Sequence, residues 1–245
     1  MKFVNSIRQS LSRLIRRQIT FETHFNVPIK FKHKNSIVIN ERIVEIPFIF
    51  SSISLDNHAK KILDFGCSRS WLSLSLSSLG HSVYGIDLRN FPFSHPNFVF
   101  QKINILDFQE RDFDYIISLS TLEHVGLGAY GEPYSQQALV DVVKKVHLLL
   151  KTGGTLLLTL PIGIPSEDIF EKSFASSEIL ELLIGQGFHL IEERYFKRHN
   201  GSSWHPCTRE EIAVVSNSFE ARNKFGSGVN GVGCFNFVKR NKIFQ

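Results

Sequence analysis

The chain reads as a doubly wound α/β fold, and three stretches carry that reading. Lys61-Ile62-Leu63-Asp64-Phe65 is a short apolar run closed by the small-residue turn Gly66-Cys67-Ser68-Arg69-Ser70 and followed by the apolar-rich 71–79, in order a strand, a loop and a helix. Ser82-Val83-Tyr84-Gly85-Ile86 is a second strand, ending in Asp87, 23 residues after Asp64. Within 135–151, Ala138, Leu139, Val142, Val143, Val146, Leu149 and Leu150 recur at helical spacing, Gly153-Gly154 stops the helix, and 155–160 is another strand.

At 245 residues and 42% hydrophobic content the chain suffices for one large α/β domain. The expected organisation is a cap over 1–57 and the domain proper over 58–245. Cys67, Cys207 and Cys234 are odd in number and far apart, so no disulfide framework or metal site is expected. No run approaches the roughly 18 apolar residues of a membrane span, and the N-terminus lacks the apolar core of a secretory signal. A cytoplasmic protein is expected.

The net charge of +5 is concentrated at one end: through Lys34 there are eight basic residues and the single acid Glu22, which leaves the remainder slightly acidic. Phe3, Ile7, Leu11, Leu14 and Ile15 recur at helical spacing with Arg8, Arg13, Arg16 and Arg17 largely on the other side, a basic amphipathic helix. Four readings stand for residues 1–20: peripheral contact with an anionic membrane, steering of nucleic acid, an organelle transit segment, or a packed helix with a solvated basic face. Beyond it, 25–28 and 36–39 read as short extended pieces. Glu41–Ile49 reads as a helix entry interrupted or restarted at Pro47, with Arg42 and Glu45 as a surface ion pair or, as the competing reading, a charged pair facing a site under this cap.

An acid at the tip of a second strand, about 20 residues past a glycine turn, is placed to take both hydroxyls of a ribose, which points to an adenosine-containing cofactor. A dinucleotide would need G-x-G-x-x-G, and only Gly66 is present. Asp64-x-Gly66 instead resembles the first motif of class I S-adenosylmethionine-dependent methyltransferases, D-x-G-x-G-x-G, with Ser68 and Ser70 at the later glycine positions. The resemblance implies a Rossmann-like, seven-stranded, mostly parallel sheet with helices on both faces and an antiparallel C-terminal hairpin strand, formed by strands starting at Gly187 and spanning 233–238. It also implies S-adenosyl-L-methionine as cofactor, with Asp64, Phe65, Gly66, Cys67 and Ser68 beneath its methionine part and Asp87 and Leu88 at the ribose. The third strand, 98–103, leads to Asn104, which stands where the family has an acid for the adenine amino group, and to Ile105, which would pack on the ring. Phe91 and Phe93 read either as a wall for the adenine or as ordinary core.

Phe113-Asp114-Tyr115-Ile116-Ile117-Ser118 and the following Leu119–Val125 carry a second resemblance, the family's F-D-x-x-x-S strand running into L-E-H. It implies that Ser118 and Leu119 lie at the transferred methyl, across one crevice from Gly66. The helix–Gly-Gly–strand string at 149–161 is a third. If the nucleophile is a hydroxyl, His124 is the candidate base, because its unperturbed pKa of about 6.5 lies near working pH; a structural hydrogen-bonding role is the competing reading. Glu123, Tyr130, Glu132 and Tyr134 are candidate substrate contacts, the last three on the glycine-rich loop 126–134, whose composition equally suits a plain surface loop. LEHVGLGAYGEP, with ERIVEIPFI upstream, resembles a DUF268-like, glycan-associated bacterial subgroup. That implies a sugar or other small-molecule hydroxyl as acceptor; RNA and an inactive cofactor- or partner-binding module of the same fold are the alternatives. Residues 195–207 read as polar and irregular, and there His205 is the second-rank base candidate. Oligomeric state is not encoded legibly.

Overall fold

The structure, a computed structural model, describes residues 40–54, 56, 58–200, 203–217 and 228–240. The basic helix over residues 1–20 and the extended pieces up to 39 lie outside the described residues.

Helix α1 (Arg42–Ser52) precedes the sheet. Strand β1 (Lys61–Phe65), helix α2 (Leu72–Ser78) and strand β2 (Ser82–Asp87) form the first βαβ unit, followed by β3 (Phe98–Lys102) and β4 (Phe113–Leu119). Helix α3 (Ala138–Leu149) runs into β5 (Leu150–Pro161), a two-stranded hairpin β6 (Ser166–Glu167) and β7 (Lys172–Ser173), and α4 (Ser176–Gly185). The chain continues through β8 (Phe188–His199), β9 (Ser203–Cys207), α5 (Arg209–Ala213) and β10 (Gly231–Lys239).

The main sheet has the order β3-β2-β1-β4-β5-β10-β8-β9. Strands β1 to β5 pair in parallel, and β10 runs antiparallel between β5 and β8. The order reverses between β1 and β4, where a doubly wound sheet opens a crevice at its carboxyl edge. Alternation along each strand splits the core between two faces. Leu63, Ile86, Ile116 and Leu158 pack against Val142, Val146 and Leu149 of α3 and Ile179 and Leu183 of α4. Ile62, Val83, Ile117 and Leu157 face the other way, against Phe48 and Ile49 of α1 and Leu72 and Leu76 of α2. Each such buried side chain contributes about 1.5–3 kcal/mol of transfer free energy.

Three expectations are corrected. The main sheet has eight strands, not seven, because residues 195–207 complete β8 and form β9, its antiparallel partner, with Tyr195 opposite Cys207 and His199 opposite Ser203. Asn200, at the connection, takes a left-handed φ of 49°, and Asn200-Gly201 is a strong short-range hairpin signal. Pro47 does not interrupt α1, which runs through it. Its missing N–H would have bonded the carbonyl of Ile43, a residue 37% exposed, so water can serve that carbonyl. Arg42 and Glu45 are not a surface pair: Glu45 is fully buried. Among the described residues no helix is long and apolar enough to cross a membrane.

Candidate functional site

A cavity of about 660 Å³ opens at the carboxyl ends of β1, β2 and β4, within the usual size range of small-molecule sites. Its first wall is the turn after β1. Gly66 has φ 84°, and a Cβ there would lie 2.2 Å from Thr121 Oγ1, so the turn and the loop after β4 approach at a distance only glycine permits. Leu88 and Ile105 also line this wall. Asp87 stands at the tip of β2: its Oδ2 accepts from the Ser68 N–H at 2.9 Å and its Oδ1 from the Arg89 N–H at 2.8 Å. The Arg89 guanidinium adds bonds of 3.0 and 3.2 Å to the same carboxylate and lies over the Tyr130 ring at 4.7 Å. Burial pushes the Asp87 carboxyl up, but Arg89 and the two backbone N–H groups outweigh it and hold the carboxyl below its ordinary range.

Other residues read into this wall sit differently. Asp64 is not on the cavity surface; it is buried behind the turn, where its carboxylate accepts from Ser73 Oγ of α2 at 2.5 Å, and burial pushes its pKa up to about 6. Cys67 points into the core beside Gly85, and burial drives its thiol pKa up. Phe65 and Asn104 do line the cavity, but Asn104 Oδ1 already accepts from the Leu106 N–H at 3.0 Å. Phe91 and Phe93 pack on each other, with Phe91 against Phe98 and Phe93 against Trp71, away from the cavity. Ser68 Oγ and Ser118 Oγ are buried without a hydrogen-bond partner among the described residues.

The opposite wall is built from distant segments. Arg42 of α1 bonds Glu45 and donates to Ser120 Oγ at 2.5 Å, while Ser120 Oγ donates to Glu45 Oε1 at 2.6 Å. Burial works against the charge of Arg42, but Glu45 and Glu41 raise its pKa further than burial lowers it. Ser120 holds a left-handed φ of 44°, a strained conformation of the kind found at functional sites. The 3₁₀ turn Leu122–His124 follows. Glu123 is buried at the cavity, with its Oε2 lacking a partner among the described residues. Burial, assisted by Glu171 and Glu45 and opposed by Arg42, holds its carboxyl well above the ordinary range. His124 lines the cavity with its ring edge-on to Tyr130 at 5.5 Å and its Nε2 4.0 Å from Glu123 Oε1. Its Nδ1 contacts the carbonyl oxygen of Phe170, on the β6–β7 hairpin.

Leu119, Tyr130 and Glu132 line the cavity as well. Glu132 is engaged with its own loop, accepting from the Gly128 and Tyr130 N–H groups at 3.0 Å each. Tyr134 is 60% exposed and off the cavity lining, and His205, on the edge strand β9 against Ser203, is not part of that lining either. These two candidate contacts therefore fall outside the site. The residues that sequence reasoning passed over are Phe170 and Glu171, while Arg42, read with Glu45 as a pair either on the surface or facing the site, lines the cavity.

The cavity fits the cofactor that the motifs imply. It supplies a carboxylate for a ribose at Asp87, apolar side chains for an adenine at Leu88 and Ile105, and a cation at Arg42, with Gly66 in the lining between them. Among the described residues no group of three His, Cys, Asp or Glu side chains is assembled to hold a metal.

The family described as Caenorhabditis protein of unknown function, DUF268, matches residues 100–203. A ubiquinone biosynthesis O-methyltransferase of Glaesserella parasuis is 30% identical over 169 residues, 62% of this chain; the match spans 65%, just under two thirds, of that relative. Among solved structures, a Burkholderia thailandensis 1,6-didemethyltoxoflavin-N1-methyltransferase, bound to 1,6-didemethyltoxoflavin and S-adenosylhomocysteine, superposes with a TM-score of 0.51 at 15% identity, covering 75% of this chain and 72% of that one. A Methanosarcina mazei S-adenosylmethionine-dependent methyltransferase gives 0.56 at 16% identity, with 80% and 98% covered.

Proposed function

We propose that the chain is a class I S-adenosylmethionine-dependent methyltransferase and that it methylates a hydroxyl of a small molecule. Asp87 would take the ribose hydroxyls, displacing Arg89; Leu88 and Ile105 would enclose the adenine; Gly66 would admit the methionine part; and Arg42 would face its carboxylate. When bound, the cofactor would supply an activated methyl group for the acceptor oxygen, with a neutral thioether as leaving group. The chain has then to align the acceptor and remove one proton.

His124 is the group for that proton. A carbonyl oxygen only accepts hydrogen bonds, so contact with Phe170 requires Nδ1 to carry the hydrogen, and in the neutral imidazole Nε2 then keeps a lone pair. The observation that carries the proposal is that this histidine shares one cavity with the Gly66 turn and Asp87. The Glu123 and Glu171 carboxyl groups at the same cavity can hydrogen-bond the hydroxyls of a neutral polyol or phenol. The name of the Glaesserella relative supports oxygen as the acceptor atom. A sugar hydroxyl, as in surface-glycan synthesis, is the acceptor we favour, with the Tyr130 face for stacking. RNA is less suited, since the chain beyond its first 34 residues is slightly acidic.

The test is methyl transfer from S-adenosylmethionine to a panel of sugars, phenols and short RNAs, read by mass spectrometry. We expect product with a neutral hydroxyl acceptor and a loss of about 100-fold or more in His124→Gln. Full activity in that variant would remove the base role. Cofactor binding without transfer to any acceptor would favour the inactive-module reading.

A further inference from the structure

The β6–β7 hairpin reaches His124 across the cavity, and its construction is specific. Two strand pairs, Ser166 with Ser173 and Glu167 with Lys172, and a 3.1 Å ion pair between Lys172 and Glu167 hold its stem. Its root is tied down by Asn217 Nδ2 donating to Ser173 Oγ at 2.6 Å and by the Phe174 N–H donating to the Pro161 carbonyl at 3.1 Å. The tip is shaped by one side chain: Asp168 Oδ1 accepts from the N–H groups of Phe170 at 2.6 Å and Glu171 at 2.9 Å. A carboxylate that collects two successive N–H groups turns the intervening peptide the other way, and here the Phe170 carbonyl points to His124 Nδ1.

We infer that Asp168, through the Phe170 carbonyl, is a positioning residue that fixes His124 as the Nδ1–H tautomer and so presents an unprotonated Nε2 to the acceptor hydroxyl. This rests on the base role proposed above and adds what sets it. A neutral imidazole otherwise exchanges its hydrogen between two nitrogens, and a group hydrogen-bonded to one of them decides which is free to act. The acceptor class follows: the site is built for a protic nucleophile, which must lose a proton, rather than for a tertiary amine or thioether, which need not. The titratable groups at this end of the cavity are Glu123 on the same turn as His124, Glu171 on the hairpin and Tyr130 on the following loop. Glu123 lies on the Nε2 side, with its Oε1 4.0 Å from that nitrogen, while the Phe170 carbonyl is at Nδ1.

The experiment is magnetic resonance of the protein carrying isotope-labelled histidine, which reports the tautomer of each ring without any acceptor; His124→Gln assigns the signal. The wild type should hold His124 as Nδ1–H at pH above its titration. Asp168→Asn, which keeps the accepting oxygen, should preserve that state, and Asp168→Ala should release it to a mixture while the signals of the remaining histidines stay in place. A wild-type His124 protonated at Nε2, or an Asp168→Ala variant indistinguishable from wild type, would overturn the inference. With an acceptor in hand, Asp168→Ala should lower kcat about 10- to 100-fold, the scale of other orienting residues, shift the acidic limb of the pH profile and leave the KM for S-adenosylmethionine unchanged. Failure of the base role appears only in turnover, as an active His124→Gln; failure of the positioning role appears in the tautomer.

Discussion

The wall assigned to the cofactor draws on residues 65–105, the consecutive tips of neighbouring strands, whereas the wall opposite gathers Arg42 from α1, Ser120 to His124 from the turn after β4, and Phe170 and Glu171 from the β6–β7 hairpin. The first wall is a property of the sheet: once β1, β2 and β3 pair in parallel, Gly66, Asp87 and Ile105 arrive at one edge. The second exists only after remote segments dock, and it is held by buried charge, Arg42 with Glu45 and Ser120. Binding energy and fold stability should therefore separate on one side and coincide on the other.

The largest effect is expected where they coincide. Arg42→Ala leaves Glu45 buried without its cation, and breaking a buried pair in this way costs about 3–5 kcal/mol. Urea unfolding should register that loss, and the double variant Arg42→Ala/Glu45→Gln should recover a large part of it. A loss below about 1 kcal/mol for Arg42→Ala would mean that the second wall is not held together by this pair.

Asp64 tests the first wall from behind. Its folded pKa of about 6 is raised above the usual value near 4 by burial. A raised carboxyl costs nothing below about pH 4, where it is protonated in both states, and its cost grows as pH rises and is complete above about 6. Asp64→Asn, with its oxygen still toward Ser73, should thus be more stable than the wild type by up to about 3 kcal/mol at pH 8 and equal to it at pH 3.5, by thermal melts across that range. Cofactor affinity should not change, because Asp64 is off the cavity surface.

The smallest expected effect concerns Arg89, which occupies the Asp87 carboxylate from a half-exposed position. Arg89→Ala should tighten S-adenosylmethionine binding by about 3- to 10-fold and flatten its dependence on salt, since an exposed competing ion pair is worth about 1 kcal/mol and is screened by ions. Weaker binding in this variant would make Arg89 part of the cofactor site.

The same division explains what could be read from the chain. Gly66 and Asp87 follow from strand periodicity and from the rule that ligands sit at the carboxyl edge where strand order reverses, whereas Leu88, Ile105 and the turn at 119–124 came from the resemblance to the methyltransferase motifs. Asp64 lies behind the turn rather than on the cavity surface because strand alternation puts successive side chains on opposite faces, and its face carries Ser73. Arg42 and Glu45 looked like a helix-surface pair because i,i+3 spacing is identical for exposed and buried pairs; only the docking of α1 against the loop at Ser120 decides between them. The β6–β7 hairpin has strands of two residues, too short for any periodicity, and β9 hid behind polar residues on an edge strand.

The measurement that addresses the central claim most directly is calorimetric titration of S-adenosylmethionine into the full chain and into Asp87→Ala. The account predicts micromolar binding to the wild type and a weakening of about 100-fold in the variant, the cost of removing a charged acceptor from two ribose hydroxyls. An absence of binding to the wild type, or equal affinity in both proteins, would contradict it.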